Sequence, residues 1–163
     1  MKKWAIVLII STLVASCGSG NSGGEQEPAK TGSAENSEQS EEPKENPSYD
    51  PNRGIGKFTK VEVTPALDAT MASSGEKVYS VKCSGCHKVT EEKLVGPGWK
   101  GITKRFTAEW IMNFATNTDE MLNKDPKAQA QLEICLVRMP NQNLTDDDAR
   151  HVYEFMRKND GVK

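Results

Sequence analysis

Hydrophobic positions fall into three regimes along this chain. Residues 4–14 form one largely apolar run of eleven. Across residues 18–52 apolar side chains nearly vanish, leaving Ala29, Ala34 and Tyr49. Beyond residue 70 they return with the spacing of amphipathic helices, and four helices are predicted there. The first covers about 74–83, with Ser73 and Glu76 spaced as a capping box and Val78 and Tyr79 as its apolar edge. The second, near 107–115, carries Trp110, Ile111 and Phe114 at helical spacing. The third runs from Pro126, a good first-turn residue, to about 137 and presents Ala128, Leu132, Cys135 and Leu136. The last follows Thr145 as N-cap and continues to about Lys158. Asp146, Asp147 and Asp148 lie at its positive end, and Ala149, Val152, Tyr153 and Met156 lie along one side. No strand pairing is legible. The expected fold is all-α: about four short helices over residues 71–163, with a core thin enough that a large apolar cofactor would help complete it.

The opening run is too short to be fold or span. Eleven residues at about 1.5 Å each cover about half of a bilayer core, and Lys2 and Lys3 precede them, so residues 1–17 read as an export leader. It ends in LVASC, which resembles the bacterial lipobox, where small residues precede a cysteine that becomes lipidated. Acyl chains on Cys17 would then anchor the protein to a membrane without a spanning helix. The expected location is a membrane-anchored lipoprotein facing the periplasm or the cell exterior.

The polar stretch that follows buries too little surface to offset its ordering entropy and is expected to be a disordered tether. Residues 18–70 are assigned to a flexible acidic linker, with a short ordered stretch near 55–70 where Phe58, Val61 and Val63 could lie extended against the domain. The linker holds ten acidic and five basic side chains, whereas residues 71–163 hold thirteen and fourteen. A folded part so close to neutral, in a chain of net charge −2, argues against a nucleic-acid partner.

The candidate chemistry sits in VKCSGCHKV, where Cys83 and Cys86 are followed by His87, one of two histidines in the chain. A Cys-x-x-Cys-His run can hold zinc, exchange disulfides or attach a haem. Structural zinc needs about four ligands, and the remaining candidates, Cys135 and His151, belong to no second short-spaced pair. A thioredoxin-like motif needs a βαβ context, which is missing. Haem attachment uses every residue of the motif: two thiols for the vinyl groups and a histidine for the iron.

The company of that motif resembles the class I, mono-haem cytochrome c family in its small bacterial lipoprotein form, over residues 71–163. Gly75, Val78 and Tyr79 match the helix that precedes the haem motif in that family. Gly96-Pro97 matches its Gly-Pro pair, and Met139-Pro140 its Met-Pro loop before the last helix. The resemblance implies one covalent haem c on Cys83 and Cys86. It implies iron held by His87 and Met139, with the Pro97 carbonyl orienting the His87 ring. An aromatic of the last helix, Tyr153 or Phe155, would pack across the first. Trp99, Arg105 and Trp110 are candidates to meet the haem propionates, and Cys135 reads as a small buried hydrophobe.

The function so implied is a membrane-anchored electron carrier, not an enzyme, with no small-molecule substrate. Its partners would be redox proteins of a respiratory chain, with a quinol-oxidising complex as donor and a terminal reductase or oxidase as acceptor. The alternative is a haem enzyme or gas-sensing haem domain, a peroxidase or an NO or CO binder, in which the Met139 ligand is displaceable.

Overall fold

The computed structural model of the protein describes residues 49–163. The leader, Cys17 and residues 18–48 lie outside the described residues. Six helices follow in order: α1 (Ala69–Lys82), α2 (Ile102–Arg105), α3 (Ala108–Thr116), α4 (Thr118–Lys124), α5 (Pro126–Cys135) and α6 (Asp146–Asn159). Among the described residues no strand forms; an isolated bridge pairs His87 with Lys93. The all-α expectation holds.

Capping chemistry explains most helix boundaries. Thr107 accepts from the Trp110 N–H to open α3, and Thr145 forms a reciprocal capping box with Asp148 to open α6. Helix α1 departs from expectation, because it starts five residues before Ser74. Asp68 is its N-cap, accepting from the Met71 N–H at 2.9 Å, while the Asp68 N–H donates to Glu154 of α6 at 2.9 Å. A tertiary partner thus selects Asp68 over Ser73, which lies exposed inside the helix. Helix α5 ends at Cys135, two residues short of the expected 137, because Leu136 takes up a left-handed conformation at φ 61°. Helices α2 and α4 were not expected: four and seven residues are too short to display a helical period.

Packing centres on α1 and α6. Gly75 faces the His151 carbonyl so closely that a Cβ there would collide with α6 backbone. Ala149, Val152, Tyr153 and Met156 are all buried, as their spacing suggested. Phe155, rather than Tyr153, meets the first helix: its ring lies 5.2 Å from Tyr79, whereas Tyr153 sits under the Arg150 guanidinium. From Phe155 the aromatic contacts continue through Tyr79 and Trp99 to His87, at 4.9 and 5.5 Å.

Residues 49–68 form an arm that is bound more extensively than a short apolar contact around Phe58 and Val61 would require. Fully buried Asn113 accepts from the Phe58 N–H at 2.9 Å and donates to the carbonyls of Arg53 and Phe58. Met121 sulfur accepts from the Ile55 N–H at 3.0 Å, and the Tyr49 hydroxyl donates to fully buried Asp125 at 2.8 Å. Gly54 and Gly56 permit this approach, since a Cβ on either would run into Met121 or Asn113. Arg157 then holds the Thr64 and Pro65 carbonyls at 2.7 and 3.1 Å.

Candidate functional site

An apolar cleft opens beside the Cys-x-x-Cys-His turn. Cys83, Cys86, His87, Pro97 and Met139 all contribute to its wall. So do side chains from five of the six helices, among them Ile102 of α2, Trp110 of α3, Leu122 of α4, Leu132 of α5 and Met156 of α6. The space between the walls is about 1080 Å³, counting the part open to solvent. Residues separated by up to 73 positions in sequence therefore converge on one apolar slot.

The turn that carries the two cysteines is held rigidly. The His87 N–H donates to the Cys83 carbonyl at 2.9 Å, the Gly96 N–H to the Cys86 carbonyl at 2.9 Å, and the Tyr79 hydroxyl to the His87 carbonyl at 2.7 Å. The His87 ring is fixed by its Nδ1, 2.9 Å from the Pro97 carbonyl. A carbonyl only accepts, so Nδ1 carries the proton and Nε2 keeps its lone pair. Burial pushes the His87 pKa down, although the Pro97 bond pulls the other way, so the ring is held neutral. A neutral imidazole with a free Nε2 is what a metal needs from histidine.

Burial also pushes the Cys83 thiol up, to about 11; Lys82 lowers it and Cys86 raises it, both by less. Thiol–disulfide catalysts work through thiolates of lowered pKa, so this thiol is poorly suited to that chemistry. Zinc fares no better. Among the described residues, no group of three or more His, Cys, Asp or Glu side chains is placed to hold a metal ion.

Other candidates from the sequence distribute as follows. Trp99 lines the cleft, but the Trp110 ring nitrogen donates to Asp125 at 3.2 Å and is not free for a propionate. Arg105 donates to the Gly98 carbonyl at 3.1 Å. Half-buried Cys135 reaches the cleft wall, and His151 lies on α6 outside it. Asp125 and Asn113, which seat the arm, had no sequence signal, because each looks like an ordinary helix-end or surface polar residue until its partners are known.

The wall fits a flat apolar macrocycle tied at one edge. Two thiols stand beside a fixed neutral histidine, a thioether stands on the same wall, and almost every other contact is carbon.

Comparisons with known proteins agree with that geometry. The cytochrome c family model matches residues 72–160, more than half of the chain. A cytochrome c from Rhodothermus marinus superposes with a TM-score of 0.62 at 27% identity, covering 64% of this chain and 90% of that one. An engineered form of the Rhodothermus marinus cytochrome c, Rma TDE, superposes at 0.65 and 26% identity, covering 68% and 98%. The cytochrome c-type protein cyt cy of Rhodobacter capsulatus is 40% identical over 48 residues, which is 29% of this chain and only 24% of that protein. This chain belongs to the cytochrome c family, whose members hold a covalently bound haem c and carry electrons.

Proposed function

We propose that the protein is a membrane-anchored, mono-haem electron carrier whose iron is held between His87 and Met139. The observation that carries this reading is the common cleft. The His87 ring, oriented by Pro97, and Met139, on the loop between α5 and α6, are both part of its wall. The haem supplies a one-electron couple between ferrous and ferric iron, and a thioether ligand favours the reduced form relative to a second histidine. Cys83 and Cys86 hold the group in thioether bonds. Pro97 keeps the His87 proton on Nδ1, and the apolar wall excludes water. His87 and Met139 together would hold the iron and leave no place on it for a substrate, which favours a carrier over an enzyme.

The donor is a quinol-oxidising complex and the acceptor a terminal reductase or oxidase of a respiratory chain. Lipid on Cys17 and the polar tether let the domain move between them on the periplasmic or outer face of a membrane. The leader pattern and the linker composition support this part of the reading.

Carbon monoxide tests the function. The oxidised wild type is expected to show the weak near-infrared band of methionine–iron ligation, and its reduced form to bind carbon monoxide poorly at neutral pH. Met139→Ala should abolish the band, lower the reduction potential and open the iron. Each 59 mV lost would weaken electron uptake about tenfold. Fast and complete carbon monoxide binding by the reduced wild type would instead favour a haem enzyme or gas sensor with a displaceable Met139.

A further inference from the structure

The loop that carries Met139 is weakly tied to the rest of the molecule. No backbone–backbone hydrogen bond joins residues 137–144 to any other described part of the chain. Inside the loop the bonds are short-range: Gln142 to the Pro140 carbonyl at 3.2 Å, and the Asn143 N–H to the Asn141 side chain at 2.8 Å. At its start Arg138 leans on α4, donating to Asn123 at 3.2 Å with Asp119 at 3.5 Å.

Two lysines cross to this region from the side of the Cys-x-x-Cys-His turn. Lys82, the residue before Cys83, donates to the Gln142 carbonyl at 2.9 Å. Lys93, whose backbone is bridged to His87, donates to the Ile134 carbonyl at 2.8 Å. The two acceptors stand on either side of Met139 in sequence, five residues before it and three after. Neither ammonium is within ion-pair distance of a carboxylate among the described residues, unlike Lys57, Lys60, Lys88, Lys100, Lys124 and Lys158.

We infer that Lys82 and Lys93 are positioning residues: a pair of straps that hold the Met139 loop closed against the His87 side of the cleft and so keep the sixth ligand in place. The inference rests on the His87/Met139 reading above. A loop with no backbone ladder has a low local opening free energy, so even a solvent-exposed ammonium–carbonyl bond on each side of Met139 shifts its opening. Opening the loop breaks the Lys82 bond to Gln142, while the Lys93 bond to Ile134 fixes the last turn of α5, from which the loop departs. Removing the donors therefore raises the population of the open loop without touching His87, Met139 or the helical core.

The experiment uses full-length holoprotein carrying Lys82→Met, Lys93→Met or both. Methionine keeps most of the aliphatic stem and removes the donor. Lys77→Met, on the exposed side of α1, controls for the lost charge, and Lys82→Arg restores a donor at the first site. Three readouts are compared: the carbon monoxide association rate of the reduced protein, the urea concentration at which the near-infrared band disappears, and the urea midpoint of helix unfolding. Each strap variant is expected to bind carbon monoxide roughly fivefold faster, and the double variant faster still. The band should be lost at lower urea while the helix midpoint stays unchanged. Lys77→Met should match wild type, and Lys82→Arg should recover most of the difference. If the band is present in wild type but both strap variants bind carbon monoxide at the wild-type rate, the straps are refuted and the ligand reading stands. An equal acceleration in Lys77→Met would refute them too, by assigning the effect to charge. A wild type without the band overturns the ligand reading and the straps together.

Discussion

At Gly96, one missing carbon decides how the histidine is held. A Cβ there would press into the His87 ring at Cε1, Nδ1 and Nε2, so the absent side chain is what lets the ring come close against the Gly-Pro turn. Glu154 shows the opposite strategy, a charge kept in the interior by its partners. Burial works to raise its pKa, but hydrogen bonds from Arg150, the Asp68 N–H and Arg157 outweigh that cost and hold it below the usual carboxylate value of 4.5. A folded-state pKa below the unfolded one means that ionised Glu154 contributes stability above about pH 4.5. That contribution is lost as pH falls through the depressed value. Glu154→Gln should therefore cost about 3 kcal/mol at neutral pH, since it strands two guanidinium groups. Urea midpoints of wild type and variant should differ at pH 7 and converge in strong acid; a gap that persists there would contradict the ion-pair account.

Among the elements, the arm is the least predictable from its own residues. It has no regular secondary structure between residues 49 and 68, so its backbone donors and acceptors must find partners elsewhere. Asn113 supplies three of them from within α3, which is why a polar side chain occupies a fully buried site. Asn113→Ala should cost about 1–3 kcal/mol, because it leaves buried peptide groups unpaired. Hydrogen exchange is the discriminating measurement. The Phe58 amide should lose its protection in the variant, while amides of α1 and α6 keep theirs relative to global stability. Equal loss everywhere would mean that the arm is part of a single cooperative unit with the helices.

The whole molecule joins two parts with different physics. The helical part encloses an apolar cleft, and a haem held there by Cys83, Cys86 and His87 would supply the missing centre of a thin core. The polar part, outside the described residues, has a composition suited to a tether, and a coil of about 31 residues has a root-mean-square reach of roughly 28–33 Å. Such a reach matters only if the far end is fixed. Labelled palmitate should enter the full-length protein in cells that process lipoproteins, and Cys17→Ala should abolish both the label and the recovery of the protein with membranes. A Cys17→Ala variant that is still acylated and membrane-bound would exclude Cys17 as the anchor.

Much of this protein was legible from local signals. The periodicity of residues 107–115 and 146–158, the caps Thr107 and Thr145, and the Cys-x-x-Cys-His run announce themselves because each depends on neighbours within a few positions. The Gly-Pro and Met-Pro pairs could be placed through resemblance to a family in which they recur in order. Tertiary structure alone decided what depends on distant partners. It made Asp68 the N-cap of α1, because Glu154 accepts from that N–H. It chose Phe155 over Tyr153 as the partner of Tyr79, and gave the ring N–H of Trp110, a residue of the cleft wall, to Asp125. It bound residues 49–68 to a socket built from Asn113, Met121 and Asp125. It also brought Lys82 and Lys93 onto carbonyls 60 and 41 positions away. A sequence shows the donors and acceptors, but only the folded chain determines which of them meet.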